Sequence, residues 1–262
     1  MKSLALLLSL AACASADTLR SAQVTKSVNE VWVNLQAEST RRIATGDSVE
    51  APSSVQTGRR SRAELTFKDQ TITRLGQNSL FTFRNAGRDV ELERGSILLQ
   101  VPKNAGGATI RTATVTAAIT GTTSMCEYSP GKWVKLLTLE GTQKLFINGS
   151  KVPVLVPAGQ MIVMHPDGRV VPKPVTFDLA KLIATSTLAG EETFEPLPGP
   201  AKDAIALAIA AQLEAKKQGD LLPSNLVISG PGARGARRIR DTKTTRDPLP
   251  IPVNREPDGQ FP

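Results

Sequence analysis

Few residues of this 262-residue chain have the capacity for chemistry. His165 is the one histidine, beside Pro166 in Met164-His165-Pro166-Asp167-Gly168. A Ser-His-Asp or Cys-His arrangement would have to use this ring, and a turn position exposes a ring more often than it builds a general base. The two cysteines are Cys13 and Cys126. Cys126 falls in the alternating segment Ser124-Met125-Cys126-Glu127-Tyr128, where a buried packing role is expected. One histidine and one mature cysteine exclude an ordinary zinc site of nitrogen and sulfur ligands.

Carboxylates offer little more. Asp69, Glu91 and Glu93 are the candidates for a glycosidase pair, but Glu91 and Glu93 flank Leu92 on the wet face of one strand, where charge is expected. Gly76-Gln77-Asn78-Ser79 and Gly106-Gly107 lack the spacing and the Lys-Ser/Thr of a phosphate loop, and no EF-hand loop occurs. Aromatic platforms for sugars or bases are scarce, Trp32 and Trp133 being the two tryptophans, and each reads best as the cover of a core edge. No catalytic, cofactor-binding or metal-ligating residue is assigned, and the chain reads as non-enzymatic; a carbohydrate-active enzyme ranks last.

The N-terminus carries an address. Lys2 precedes the apolar run Leu4–Ala12, and Ala14-Ser15-Ala16 precedes Asp17, the order of an export signal over residues 1–16. The run is far shorter than the roughly 20 apolar residues of a membrane span. Leu10-Ala11-Ala12-Cys13 also fits a lipobox, so Cys13 is the candidate lipidation site, and membrane contact is expected only with that anchor. The expected location is bacterial and exported, in the periplasm, at the outer membrane or outside the cell. Net charge is +8, with Arg234, Arg237, Arg238, Arg240, Lys243 and Arg246 clustered near the C-terminus. For an exported chain, the partners such charge suggests are anionic envelope polymers or lipid head groups, and no nucleic acid.

These residues sit in elements of period two. Ala63, Leu65 and Phe67 alternate with Arg62, Glu64 and Thr66, and Phe81 and Phe83 with Thr82 and Arg84. Asn148-Gly149 and Asp167-Gly168 read as hairpin turns, Lys68-Asp69-Gln70 and Glu140-Gly141 as breaks. Gly58, Gly76, Gly95, Gly121, Gly141 and Gly159 recur at intervals of roughly twenty residues near strand ends, which suits a stacked β architecture. The expected fold is mainly β: an antiparallel sandwich or stacked-hairpin domain over 22–172, then two C-terminal helices within 176–219, then a disordered Pro/Arg-rich tail over 229–262. Phe177–Leu188 predicts the first helix. Ala201–Lys217 predicts the second, with Ile205, Ala208, Ile209, Gln212 and Leu213 on one face, Pro200 before it and Gly219 after it.

Six motifs in order resemble the FecR domain, the periplasmic module of the iron-citrate signal-transducing regulator, over Val24 to Ile162. They are Ala44-Thr45-Gly46-Asp47-Ser48-Val49, Ala63–Ile72 with its turn at Asp69-Gln70-Thr71, Leu92–Ile97, Ile110–Val115 with Ile119-Thr120-Gly121-Thr122, Leu137–Gly141, and Ala158-Gly159-Gln160. Asp69-Gln70-Thr71 lacks the family's turn glycine. The resemblance implies a β module in the envelope whose motif residues are turns and strand ends and not a ligand site. A signal peptide in place of the regulator's cytoplasmic arm and membrane helix is expected to leave no direct hold on a sigma factor. The expected function is therefore an interaction module for an envelope protein or anionic envelope polymer. The alternative is an accessory sensor in FecR-type, sigma-factor-linked signalling.

Overall fold

The computed structural model describes residues 19–35, 40–84 and 88–226. The segments proposed as export signal and tail, with Cys13 and the basic cluster, lie outside the described residues. Among these described residues, seventeen strands and three helices follow in chain order. The strands are β1 (Ser21–Val28), β2 (Val31–Leu35), β3 (Arg41–Arg42), β4 (Ser48–Glu50), β5 (Ser53–Thr57) and β6 (Arg62–Phe67); then β7 (Ile72–Leu75), β8 (Leu80–Phe83), β9 (Asp89–Gln100), β10 (Ala108–Arg111), β11 (Val115–Ile119) and β12 (Thr123–Ser129); then β13 (Trp133–Glu140), β14 (Thr142–Ile147), β15 (Val154–Pro157), β16 (Gln160–Met164) and β17 (Val175–Thr176). The helices are α1 (Leu179–Thr185), α2 (Gly199–Ala211) and α3 (Leu213–Lys217).

Two sheets face each other. Sheet I runs β4-β1-β6-β7-β9-β12-β13-β16-β17. Sheet II runs β3-β2-β5-β8-β9-β10-β11-β14-β15. β9 belongs to both: Val90–Arg94 pair with β8, Ile97–Gln100 with β7. The fold-over falls at Gly95, whose φ of +92° is left-handed, and a Cβ there would meet the Ser79 Cα at 2.4 Å. Hairpins therefore alternate between the sheets, and the glycine interval marks the crossings. Gly58, Gly76, Gly95, Gly121, Gly141 and Gly159 each lie where the chain leaves one sheet for the other.

The pairing is antiparallel except at β9–β10, where Asp89, Val90 and Glu91 run parallel to Thr109, Ile110 and Arg111. Because β9 folds over instead of turning back, the chain reaches the far end of sheet I at Gln100. Crossing back there starts β10 alongside the start of β9. Period-two faces then close a core in which Leu65, Leu75, Ile97, Cys126 and Val134 of sheet I meet Val55, Phe81, Leu92, Ile110 and Leu145 of sheet II, all buried. Phe67 meets Phe83 edge-on at 5.4 Å between ring centroids, and Phe81 stacks on Phe83 at 5.7 Å.

Two expected hairpins close differently. The β14–β15 loop spans 148–153 instead of two residues, since the Asn148 amide donates to the Ala113 carbonyl (2.9 Å) and accepts from Thr116 Oγ1 (3.0 Å), tying it to the neighbouring turn. After β16, Gly168 N donates to the His165 carbonyl (2.9 Å), but Val170 is 80% exposed and the partner strand begins only at Val175. At the β6–β7 turn, Gln70 itself takes the left-handed conformation (φ +66°) that the missing glycine would favour.

The helical segment packs on the outer face of sheet I. Leu98, Met125, Leu137, Met161 and Val163 on that face form a second core with Phe177, Leu179, Leu182, Phe194, Leu197 and Ile205. Asp178 caps α1 by accepting from Lys181 N (2.9 Å). The helix expected over Ala201–Lys217 is two, because Gln212 turns inward between α2 and α3. Its Oε1 accepts from Leu179 N (3.1 Å) and its Nε2 donates to the carbonyls of Phe177 (2.9 Å) and Gly159 (3.2 Å). Leu213, expected on the apolar face, is 53% exposed.

Candidate interaction surfaces

The residues with chemical capacity do not converge. Cys126 is fully buried on the inner face of β12, and burial, with the nearby Glu127 charge, pushes its thiol up, so it is neutral and packs. His165 Nδ1 accepts from Asp167 N at 3.2 Å in a surface turn. Asp69 sits at the β6–β7 turn, 2.5 Å from Arg88 and accepting from Thr71 N. Glu91 pairs with Arg84 at 2.9 Å, and Glu93 accepts from Thr82 Oγ1 at 3.1 Å, both on the outer face of sheet II. Among the described residues no group of three or more His, Cys, Asp or Glu side chains could hold a metal ion.

The outer faces of the two sheets are built in contrast. On sheet I one row of register partners runs Glu64, Arg74, Leu98, Met125, Leu137, Met161. Its apolar members lie under the helices, and its charged end is sealed. Arg74, 1% exposed, donates from Nε to Glu64 Oε2 (2.7 Å), from Nη1 to the Leu188 carbonyl (2.9 Å) and from Nη2 to the Glu195 carbonyl (2.6 Å). Its guanidinium also lies 4.8 Å from the Phe194 ring centre. Lys135, 2% exposed, reaches Glu127 Oε2 at 2.9 Å and the Ser224 carbonyl at 3.0 Å. Both cations were legible only as wet-face residues of alternating strands. That they are buried depends on the later segment that covers them.

Among the described residues no helix covers the outer face of sheet II. One row runs Arg42, Trp32, Gln56, Leu80; another runs Ser54, Thr82, Glu91, Arg111, Thr116, Phe146. Trp32, Leu80 and Phe146 are half-buried, while Gln56, Arg111 and Lys144 are exposed. The charges pair along the surface, Arg84 with Glu91 and Arg111 with Asp89, each at 2.9 Å. Such pairs are solvated and contribute little to stability. Trp32 does not cover a core edge as expected: Val31 and Val33 take the buried positions, which turns the indole to the outer face beside the exposed Arg42 and Gln56. Among the described residues no helix is long and apolar enough to cross a membrane.

Comparison with known proteins adds the family. The family model described as "FecR protein" matches residues 53–142. That stretch is the middle of both sheets: β5 to β13, with β9 at the centre. Strands from outside it extend the four edges: β1 with β4 and β16 with β17 on sheet I, β2 with β3 and β14 with β15 on sheet II. The motifs Ala44–Val49 and Ala158–Gln160 lie beyond the match. No curated protein matches the chain. Among solved structures it is similar to two crystal structures of a "putative anti-sigma factor" from Parabacteroides distasonis ATCC 8503. The first has TM-score 0.44 and 14% identity over 50% of this chain, which spans 63% of that one. The second has TM-score 0.41 and 10% identity over 70% of this chain and 96% of that one. Through residues 53–142, the chain carries a FecR domain.

Proposed function

We propose that the protein is an exported, non-enzymatic module of the bacterial cell envelope that uses its FecR domain to hold another envelope protein on the open face of sheet II. Residues 1–16 are its export signal, 22–172 its FecR-like body, 176–219 the helical cover and 229–262 an accessory basic tail suited to anionic envelope polymers. The observation that carries this reading is the asymmetry of the two outer faces. The chain's own helices occupy sheet I, whereas sheet II presents Trp32, Leu80 and Phe146 among solvated ion pairs. Aromatic anchors within a polar surround are the composition of a protein-binding surface.

The test is in-cell photo-crosslinking. A photoreactive residue replaces Gln56, Thr116 or Lys144 on the open face, or Leu207 on α2. The open-face positions should capture one partner of the cell envelope, and Leu207 should not. Capture of cytoplasmic proteins, or none from the open face, would overturn the proposal. The FecR domain favours a second reading, an accessory sensor in sigma-factor-linked signalling. In that case the captured partner is a membrane-spanning regulator.

A further inference from the structure

A concave surface lies where the outer face of sheet I runs out beyond its helical cover. It is a groove of 510 Å³, with Arg62, Asn78, Arg94, Glu127, Tyr128 and Trp133 in its wall. Strand register assembles it: Gly95 stands opposite Tyr128, Ser96 opposite Glu127, and Ser129 opposite Trp133. Arg62 enters from the start of β6, held by Nε to Thr187 Oγ1 (3.3 Å) and Nη1 to the Ser61 carbonyl (2.8 Å). No salt bridge engages Arg62 or Arg94 among the described residues. Glu127 is the one acid in the wall, and Lys135 already neutralises it at 2.9 Å. The groove therefore offers two guanidinium groups with no acid of their own, two exposed amides at Gln77 and Asn78, and one half-exposed indole at Trp133.

We propose that this groove binds a carboxylate-bearing oligosaccharide. Planar guanidinium groups take a carboxylate through paired N–H donors. An indole face takes the apolar face of a pyranose ring, and an amide takes its hydroxyls. An acidic peptide fits less well. β6, β7, β9, β12 and β13 are each paired on both sides, so no free strand edge is there for a peptide backbone. The site is separate from the open face of sheet II, and the proposal does not depend on what occupies that face.

The experiment is calorimetric titration of the full-length protein with a hexagalacturonate and with its methyl ester. Wild type should bind the acid and bind the ester at least about tenfold more weakly, since a charge-assisted hydrogen bond is lost at each site. Arg62→Gln and Arg94→Gln should each weaken the acid by about tenfold. Lys144→Gln, on sheet II, should leave it unchanged. In a Trp32→Phe variant the remaining tryptophan emission comes from Trp133, and it should shift on adding the acid. Thermal melts confirm that each variant is folded. Equal binding of acid and ester, no effect of Arg94→Gln, no binding at millimolar ligand, or equally tight binding of an oligoglutamate would each overturn the assignment. Binding of the acid with no envelope protein crosslinked to sheet II would leave this site standing and refute the other proposal.

Discussion

Arg74 is the single side chain whose loss should release most of the helical cover. Replacing it by Met keeps an apolar stem of similar length and deletes three donors. Glu64, 8% exposed, is then left with Thr25 Oγ1 (2.7 Å) as its remaining side-chain donor, and the carbonyls of Leu188 and Glu195 lose theirs. Removing one partner of a buried ion pair costs about 3–5 kcal/mol, because the other charge stays buried. For a chain of this size each kcal/mol moves the midpoint by about 2–4 °C, so Arg74→Met should melt about 10 °C below wild type. Adding Glu64→Leu removes the stranded charge and should recover roughly half of that loss. Calorimetry reads the midpoints, and limited proteolysis should cut Arg74→Met first near 186–198. A midpoint for Arg74→Met within about 2 °C of wild type would refute the reasoning. So would a double variant no more stable than the single one.

Gly95→Ala should destabilise severely, since its left-handed φ and the 2.4 Å approach to Ser79 Cα admit no Cβ. Gly46→Ala, with φ +97° but open space, should cost only about 1–2 kcal/mol, and urea titration of the pair separates clash from conformation. Glu140 is buried, and desolvation raises its pKa against the opposing hydrogen bond from Thr123 (2.9 Å). The native state thus holds its proton to higher pH than the unfolded chain does, and stability falls as pH rises from the unfolded value through the folded one. Glu140→Gln should therefore melt above wild type at pH 7, with the gap closing near pH 3; a gap independent of pH would contradict this. Gln212→Ala strips bonds from Leu179 N and two buried carbonyls, and should cost about 2 kcal/mol. Hydrogen exchange should show the Leu179 amide losing protection while β9 keeps its own.

The period-two pattern made the strands, their buried faces and most turns legible, because alternation is enforced locally by the core. Phe81, Phe83, Leu65 and Cys126 lie where their alternation puts them. What stays hidden depends on distant chain. Arg74 and Lys135 follow the same alternation as any solvated charge, and only the cover from 186–226 converts them into buried clamps. Ala201–Lys217 carries an unbroken helical pattern, yet Gln212 serves three backbone groups from Gly159, Phe177 and Leu179, which ends α2 early. The groove around Trp133 was invisible for a similar reason: its wall joins β6, β9, β12 and β13, residues that share no local motif.

The shared strand β9 also determines how such a molecule can lengthen or shorten. Every other strand belongs to one sheet, while β9 stitches both sheets with one covalent backbone. Growth is then outward from a seam, one hairpin at a time on either side. A lineage could add or shed an outermost pair, such as β3 with β2 or β16 with β17, without reopening the middle. The matched family stretch traces that seam and the two strands on either side of it in each sheet, so the unmatched strands are the selvedge of the fabric.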